Sequence, residues 1–227
     1  MAGVITAAAT VLGSIIALLT FLRPEDPVPE TAPPVSEPST KEFADDFDGQ
    51  SIDEDLWTIE NHDKAIFQEG SSINFAATAP NSAGRYGNVA ANIGALSVRE
   101  VSLDLRLVSH QVGASAAAGV QIFLADGREY SAYLGTRQGD LRLIFSSCTK
   151  VANKEECTPQ AGPRVHQGVP INIVVREADN SIEFYVDGSR LYVRPIEHPI
   201  SRVQLGMYAD PGGVFQVSVG SIRIKYL

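Results

Sequence analysis

The chain has 227 residues, 44% of them hydrophobic and 20% charged, which is the make-up of a globular protein rather than a disordered one. That length allows one sizeable core or two small ones. The net charge of −9, with no basic stripe anywhere along the chain, excludes nucleic acid as a partner, since a phosphate backbone is bound by clustered Lys and Arg.

Residues 2–22, AGVITAAATVLGSIIALLTFL, carry no charged side chain. As a helix this run would span about 31 Å, the thickness of a bilayer's hydrocarbon core. A cleaved signal peptide would begin with basic residues and end on a small-x-small site, whereas Arg23 and Pro24 follow Leu22 directly. Residues 1–23 are therefore expected to form one N-terminal transmembrane helix. Ala9, Gly13 and Ala17 recur at four-residue spacing, a small-residue seam that suits a helix–helix partner in the bilayer.

Residues 24–42, PEDPVPETAPPVSEPSTKE, hold six of the thirteen prolines. Proline fixes φ and removes a backbone donor, so this stretch reads as an extended acidic stalk of up to about 60 Å.

FADDFDGQSIDEDLW, residues 43–57, packs six acids into fifteen positions and ends on the only tryptophan. Read as an EF-hand loop, it puts Asp46, Asp48, Gly49 and Asp55 in register, but Ala44 opens it and an Asp closes it. The flanks read as strand, which excludes that motif. Phe43, Phe47 and Trp57 are expected to plug into a core, leaving the acids as solvated turn residues. No cofactor is expected, with Ca2+ held by Asp46 or Asp48 as the alternative.

From Phe43 onward the periodicity is two. In VSLDLRL, Val101, Leu103, Leu105 and Leu107 face one way while Ser102, Asp104 and Arg106 face the other. GVQIFL, EYSAYLG, LRLIF, INIVVR and IEFYV repeat the alternation between turn clusters. Asp187-Gly188 predicts a type I′ hairpin. The hydrophobic parity slips by one between Val219 and Ile222, which predicts a β-bulge at Gly220-Ser221. Residues 43–227 are thus expected to form an all-β domain of two packed antiparallel sheets.

If residues 99–145 form a meander, their outward positions line up across one sheet. Asp104, Arg106, Gln121, Tyr133 and Arg142 are then the candidate ligand-binding residues, offering directional hydrogen bonds and a flat ring for a sugar. Cys148 and Cys157 lack the neighbouring Cys or His that zinc requires. A disulfide closing one exposed loop is expected, worth about 2–3 kcal/mol, and it favours an oxidising compartment. Arg23 alone pulls the other way under the positive-inside rule. The expected location is the cell membrane, single-pass, with the β domain extracytoplasmic. The four histidines are scattered and no G-x-S-x-G occurs.

The opening DDFDG-x3-D-x3-W, the AGVQIF segment, the pair INIVVREADNSIEFYVDGSRL and the closing SIRIKYL resemble the concanavalin A-like lectin/glucanase jelly rolls, bacterial laminin-G-like domains in particular. The resemblance covers residues 43–227 and implies a jelly-roll sandwich. It leaves activity open, because the superfamily holds lectins, adhesion modules and retaining glycanases. Its glycanases carry E-x-D-x-E or E-x-D-x-x-E on one strand, and its calcium sites join the opening segment to the last strand. The nearest match, Glu177, Asp179 and Glu183, overshoots the spacing by one residue and crosses a turn at Asp179-Asn180. The expected function is therefore a membrane-anchored, non-catalytic domain recognising carbohydrate at the cell surface. The alternatives are a structural or accessory subunit contacting protein partners, or a glycoside hydrolase with an unrecognised site.

Overall fold

The computed structural model describes residues 40–61, 65–78, 85–94, 97–111, 115–137, 140–151 and 154–227. Their regular structure is entirely strand: β1 (Lys41–Asp45), β2 (Trp57–Asn61), β3 (Ile66–Gln68), β4 (Ile73–Thr78) and β5 (Arg85–Ala91). Then come β6 (Val98–His110), β7 (Ala116–Leu124), β8 (Glu129–Arg137), β9 (Asp140–Val151) and β10 (Lys154–Arg164). The last five are β11 (Pro170–Ala178), β12 (Ser181–Val186), β13 (Ser189–Pro195), β14 (Ile200–Ala209) and β15 (Val214–Tyr226).

They build two antiparallel layers. The front layer runs β10-β9-β8-β7-β14-β5-β2. The back layer runs β13-β12-β11-β6-β15, and the far edge of β15 pairs with β4 along its first half and β1 along its second. A single bridge between Ile200 and Val98 joins the layers. The period-two pattern explains why they close. Each strand sends alternate apolar residues inward, as with Leu103, Leu105 and Leu107 on β6 and Val120 and Ile122 on β7, all at most 1% exposed. Burying each such side chain stabilises the fold by about 1.5–3 kcal/mol. Phe145 from the front layer stacks on Tyr192 at 5.2 Å and meets Phe184 edge-on at 5.8 Å, locking the two layers together.

The opening segment is the plug its sequence predicts. Phe47 and Trp57 are each 1% exposed, and the Asp45 carboxylate accepts bonds from the Trp57 indole N–H and the Phe47 amide, both at 2.7 Å. The latter bond holds Phe47 at φ 52°. Asp187 and Gly188 take the positive φ of a type I′ turn, 48° and 78°. The β15 register shifts between Val219 and Ile222 as expected.

Three features differ from expectation. Cys148 and Cys157 are bonded, but as a directly opposed pair on β9 and β10, with Cα atoms 4.1 Å apart, so the bond pins an edge strand rather than a loose loop. β1 begins at Lys41, inside the segment read as stalk. The meander also holds only for β7–β8–β9. β6 lies in the other layer between β11 and β15, because its inward residues are needed at the centre of the back sheet. The expected transmembrane helix, its Ala9, Gly13 and Ala17 seam and nearly all of the stalk lie outside the described residues. Among the described residues no helix is long and apolar enough to cross a membrane.

Candidate functional site

The outer face of the front sheet is built by the same alternation that fills the core. On β8, Tyr130, Ala132 and Leu134 point inward and are buried, which turns Glu129, Ser131 and Tyr133 outward. Register then fixes their neighbours. Glu129 faces Phe123 on β7 and Cys148 on β9, and Cys148 faces Cys157 on β10. Ser131 lies between Gln121 and Ser146, with Gln204 of β14 beyond Gln121. Tyr133 sits beside Gly119, and Gly119 beside Gly206.

Over these residues lies a cavity of about 330 Å³. Glu129 and Glu155 both line it, with Ser131, Tyr133 and the two cysteines between them. A second hollow of about 200 Å³ carries the same face across β14 and β5, sharing Gln121, Tyr133 and Tyr208 with the first.

Glu129 is fixed by donors. Its Oε1 accepts the Gln121 side-chain amide at 3.0 Å and the Tyr133 hydroxyl at 3.4 Å. The amide of Gln204, itself buried, donates to the Gln121 carbonyl at 2.9 Å and so sets which end of Gln121 meets the acid. Burial raises the Tyr133 pKa well above its ordinary value, and the nearby Glu129 charge adds to the rise. Tyr133 therefore remains a donor at neutral pH. The Ser131 hydroxyl is fully buried and meets no partner at hydrogen-bond geometry, although it lies close enough to Tyr133 to offset part of that rise. A buried polar group without a partner is costly, and a ligand hydroxyl in this cavity would relieve it. Glu155, two residues before Cys157 on exposed β10, brings a carboxylate oxygen within 4.8 Å of both sulfurs. Both sulfurs are committed to the disulfide, so this trio offers a metal only one oxygen donor.

The expected binding residues divide between the two sheets. Gln121, Tyr133 and Arg142 share the front face, with Arg142 at its rim paired to Asp140 at 3.1 Å. Asp104 and Arg106 lie on the back layer beside a separate hollow, bonded to Asn172 at 2.9 Å and Ser218 at 3.4 Å. Glu177 and Glu183 also belong to the back layer, engaged by Arg99 and Arg190. Asp46 and Asp48 line a broad acidic hollow at the domain's opening. There Asp46 is ion-paired with Arg223 at 2.9 Å, so a guanidinium already balances its charge.

Glu129 and Glu155 were not among the residues singled out from sequence. Glu129 had a signal, because it shares parity with Ser131 and Tyr133 and opens E-x-S-x-Y at the first position of E-x-D-x-E. Ser and Tyr at the other two positions hide the match. Glu155 had only its closeness to Cys157.

No protein-family model and no curated protein matches the chain. Solved structures do. An endo-β-galactosidase from Clostridium perfringens that releases GlcNAcα1-4Gal is 11% identical with a TM-score of 0.62, over 86% of this chain and 64% of that enzyme. An endo-acting O-glycanase of the human gut microbiota is 15% identical, also with a TM-score of 0.62, over 80% of this chain and 97% of its own. A glycoside hydrolase family 16 endo-glucanase from Bacteroides ovatus, in complex with a fluorinated oligosaccharide, is 12% identical over 80% of this chain and 99% of its own, again at 0.62. The domain thus shares the two-layered, all-β fold of these structures, the fold class that its sequence resemblance implied. The expectation of a non-catalytic carbohydrate-binding domain is corrected. The solved structures named above are endo-acting glycosidases, and two carboxylates line one groove of this fold.

Proposed function

We propose that the chain is a glycoside hydrolase that cleaves glycans in the groove of the front sheet, with Glu129 and Glu155 as its two carboxyl groups. One observation carries this reading: the two acids line a single cavity on the outer face of the front sheet. Glycoside hydrolysis needs one carboxyl group to protonate the leaving oxygen and a second to act as base or nucleophile at the anomeric carbon. Two donors hold the Glu129 Oε1 in place, which suits a fixed base or nucleophile. Glu155 is exposed, two residues from Cys157 at the same cavity, and is assigned the proton donor. Its proton goes to the leaving sugar oxygen, water supplies hydroxide to the anomeric carbon, and the second proton of water restores the acid. Since Ser131 and Tyr133 replace the second and third motif positions, the partner acid comes from β10 instead of β8.

The uncharged run at residues 2–22 supports anchorage in a membrane, and the disulfide supports an oxidising side for the domain. Thiol labelling of intact cells before and after reduction tests this placement. Labelling at Cys148 and Cys157 only after an impermeant reductant is expected, and labelling without reduction would contradict it.

The activity itself is tested by reducing-end release from a panel of polysaccharides. Turnover by the wild type with a loss of at least about a thousandfold in Glu129→Gln is expected. A wild type silent on every polysaccharide, or an unimpaired Glu129→Gln, would overturn the proposal.

A further inference from the structure

Resting on the hydrolase reading, we infer that the groove takes an uncharged glycan several sugars long, one ring of which stacks on Tyr86 and Tyr208.

The exposed large hydrophobic residues among the described ones are Tyr86, Val169, Leu191, Val193 and Tyr208. The two aromatics of that set sit side by side. Tyr208 on β14 and Tyr86 on β5 are directly opposed partners, 42% and 57% exposed. Register puts both on the outer face, in line with Ala117 and Gly135. Tyr208 lines both hollows and Tyr86 lines the second, so the platform continues the acid cavity.

Between platform and acids the floor is polar. Gly119 and Gly206 face each other across β7 and β14, and the Gln121 side chain occupies the space beside Gly206, where a Cβ would come within 2.4 Å of its oxygen. Gln121, Gln204 and Asn88 line the hollow there and offer amides to a polymer lying across the strands. β5 is three strand spacings from β8, roughly 14 Å, too far for one sugar ring to touch both Tyr86 and Glu129. A flat phenol ring offers its face to the C–H side of a pyranose.

Charge narrows the substrate class. None of the described residues lining the joined hollows is Lys, Arg or His, while two are glutamates. At the rim, Arg142 and Arg164 share Asp140, at 3.1 and 3.5 Å. A sulfated or uronate polymer would bring anions to hollows lined by two carboxylates and, among the described residues, by no cation, and the like charges would repel it. A neutral polysaccharide meets amides, hydroxyls and aromatic faces.

The test uses the full chain with neutral, uronate-containing and sulfated polysaccharides and with a short aryl glycoside. The expected result is cleavage of neutral polymers only. Tyr86→Ala and Tyr208→Ala should each raise KM for the polymer by roughly three- to tenfold, with a smaller rise for the short aryl glycoside. Preferred cleavage of an anionic polymer, or unaltered KM in both variants, would overturn the inference and leave the hydrolase standing. Calorimetry with neutral oligosaccharides separates the opposite failure. Binding lost in the tyrosine variants, without turnover by any form of the protein, would keep the subsite and overturn the carboxylate pair.

Discussion

At the scale of single residues, the site depends on what holds Glu129. A hydrogen bond to a charged group is worth about 1.5–3 kcal/mol, and the Tyr133 contact is long at 3.4 Å, so it sits at the weak end. Tyr133→Phe keeps the ring and removes the donor, and kcat is expected to fall about tenfold with KM nearly unchanged. Steady-state kinetics decide, and a KM effect alone would mean that Tyr133 only binds. Gly206→Ala makes a sharper claim. The new methyl group must displace the Gln121 side chain, removing the stronger donor to Glu129 without touching the core. Activity should fall while the unfolding midpoint holds, and unaltered activity would show that Gln121 does not matter.

At the scale of strands, two cross-strand devices can be read separately. Glu100 on β6 sits between Arg176 on β11, at 2.6 Å, and Lys225 on β15, at 2.8 Å. Burial pushes its carboxyl up, but the bonds from Lys225 and Arg176 outweigh that and hold it below the ordinary glutamate value. A carboxyl depressed in the folded state stabilises above its unfolded pKa, and the gain is lost as pH falls through the folded one. Glu100→Gln should therefore cost about 0.5–1 kcal/mol near neutrality. Urea titrations at successively lower pH should find that difference shrinking, and a constant one would contradict the triad. The Cys148–Cys157 bond joins β10 to β9. Replacing both by serine should lower stability by about 2–3 kcal/mol. It should also reduce turnover, since Glu155 rides on the released edge strand. Strand-level features were the most legible in the sequence: the Asp187-Gly188 turn, the Gly220-Ser221 bulge and the Phe43, Phe47 and Trp57 plug all follow from local chemistry. The sheet to which β6 belongs did not. Its alternation is the same whether its neighbour is β7 or β15, and only packing of the whole core decides between them.

At the scale of the molecule, the same limit hid the site. Glu129 and Glu155 are 26 residues apart in the chain and line one cavity because β8, β9 and β10 fold side by side, whereas the motif sought was confined to one strand. Among the described residues the buried core runs from Phe43 to Ile224. A chain shortened to residues 39–227 is accordingly expected to fold cooperatively, which circular dichroism during heating would confirm or refute. The claim on which everything turns is that Glu155 donates a proton while Glu129 attacks or activates water. The most direct measurement is the activity of Glu155→Ala on a polysaccharide against a dinitrophenyl glycoside, whose leaving group needs no proton. A loss of at least about a hundredfold on the polysaccharide is expected, with most of the dinitrophenyl activity retained, and loss of both in Glu129→Gln. Equal losses on the two substrates in Glu155→Ala, or none on either, would contradict that claim.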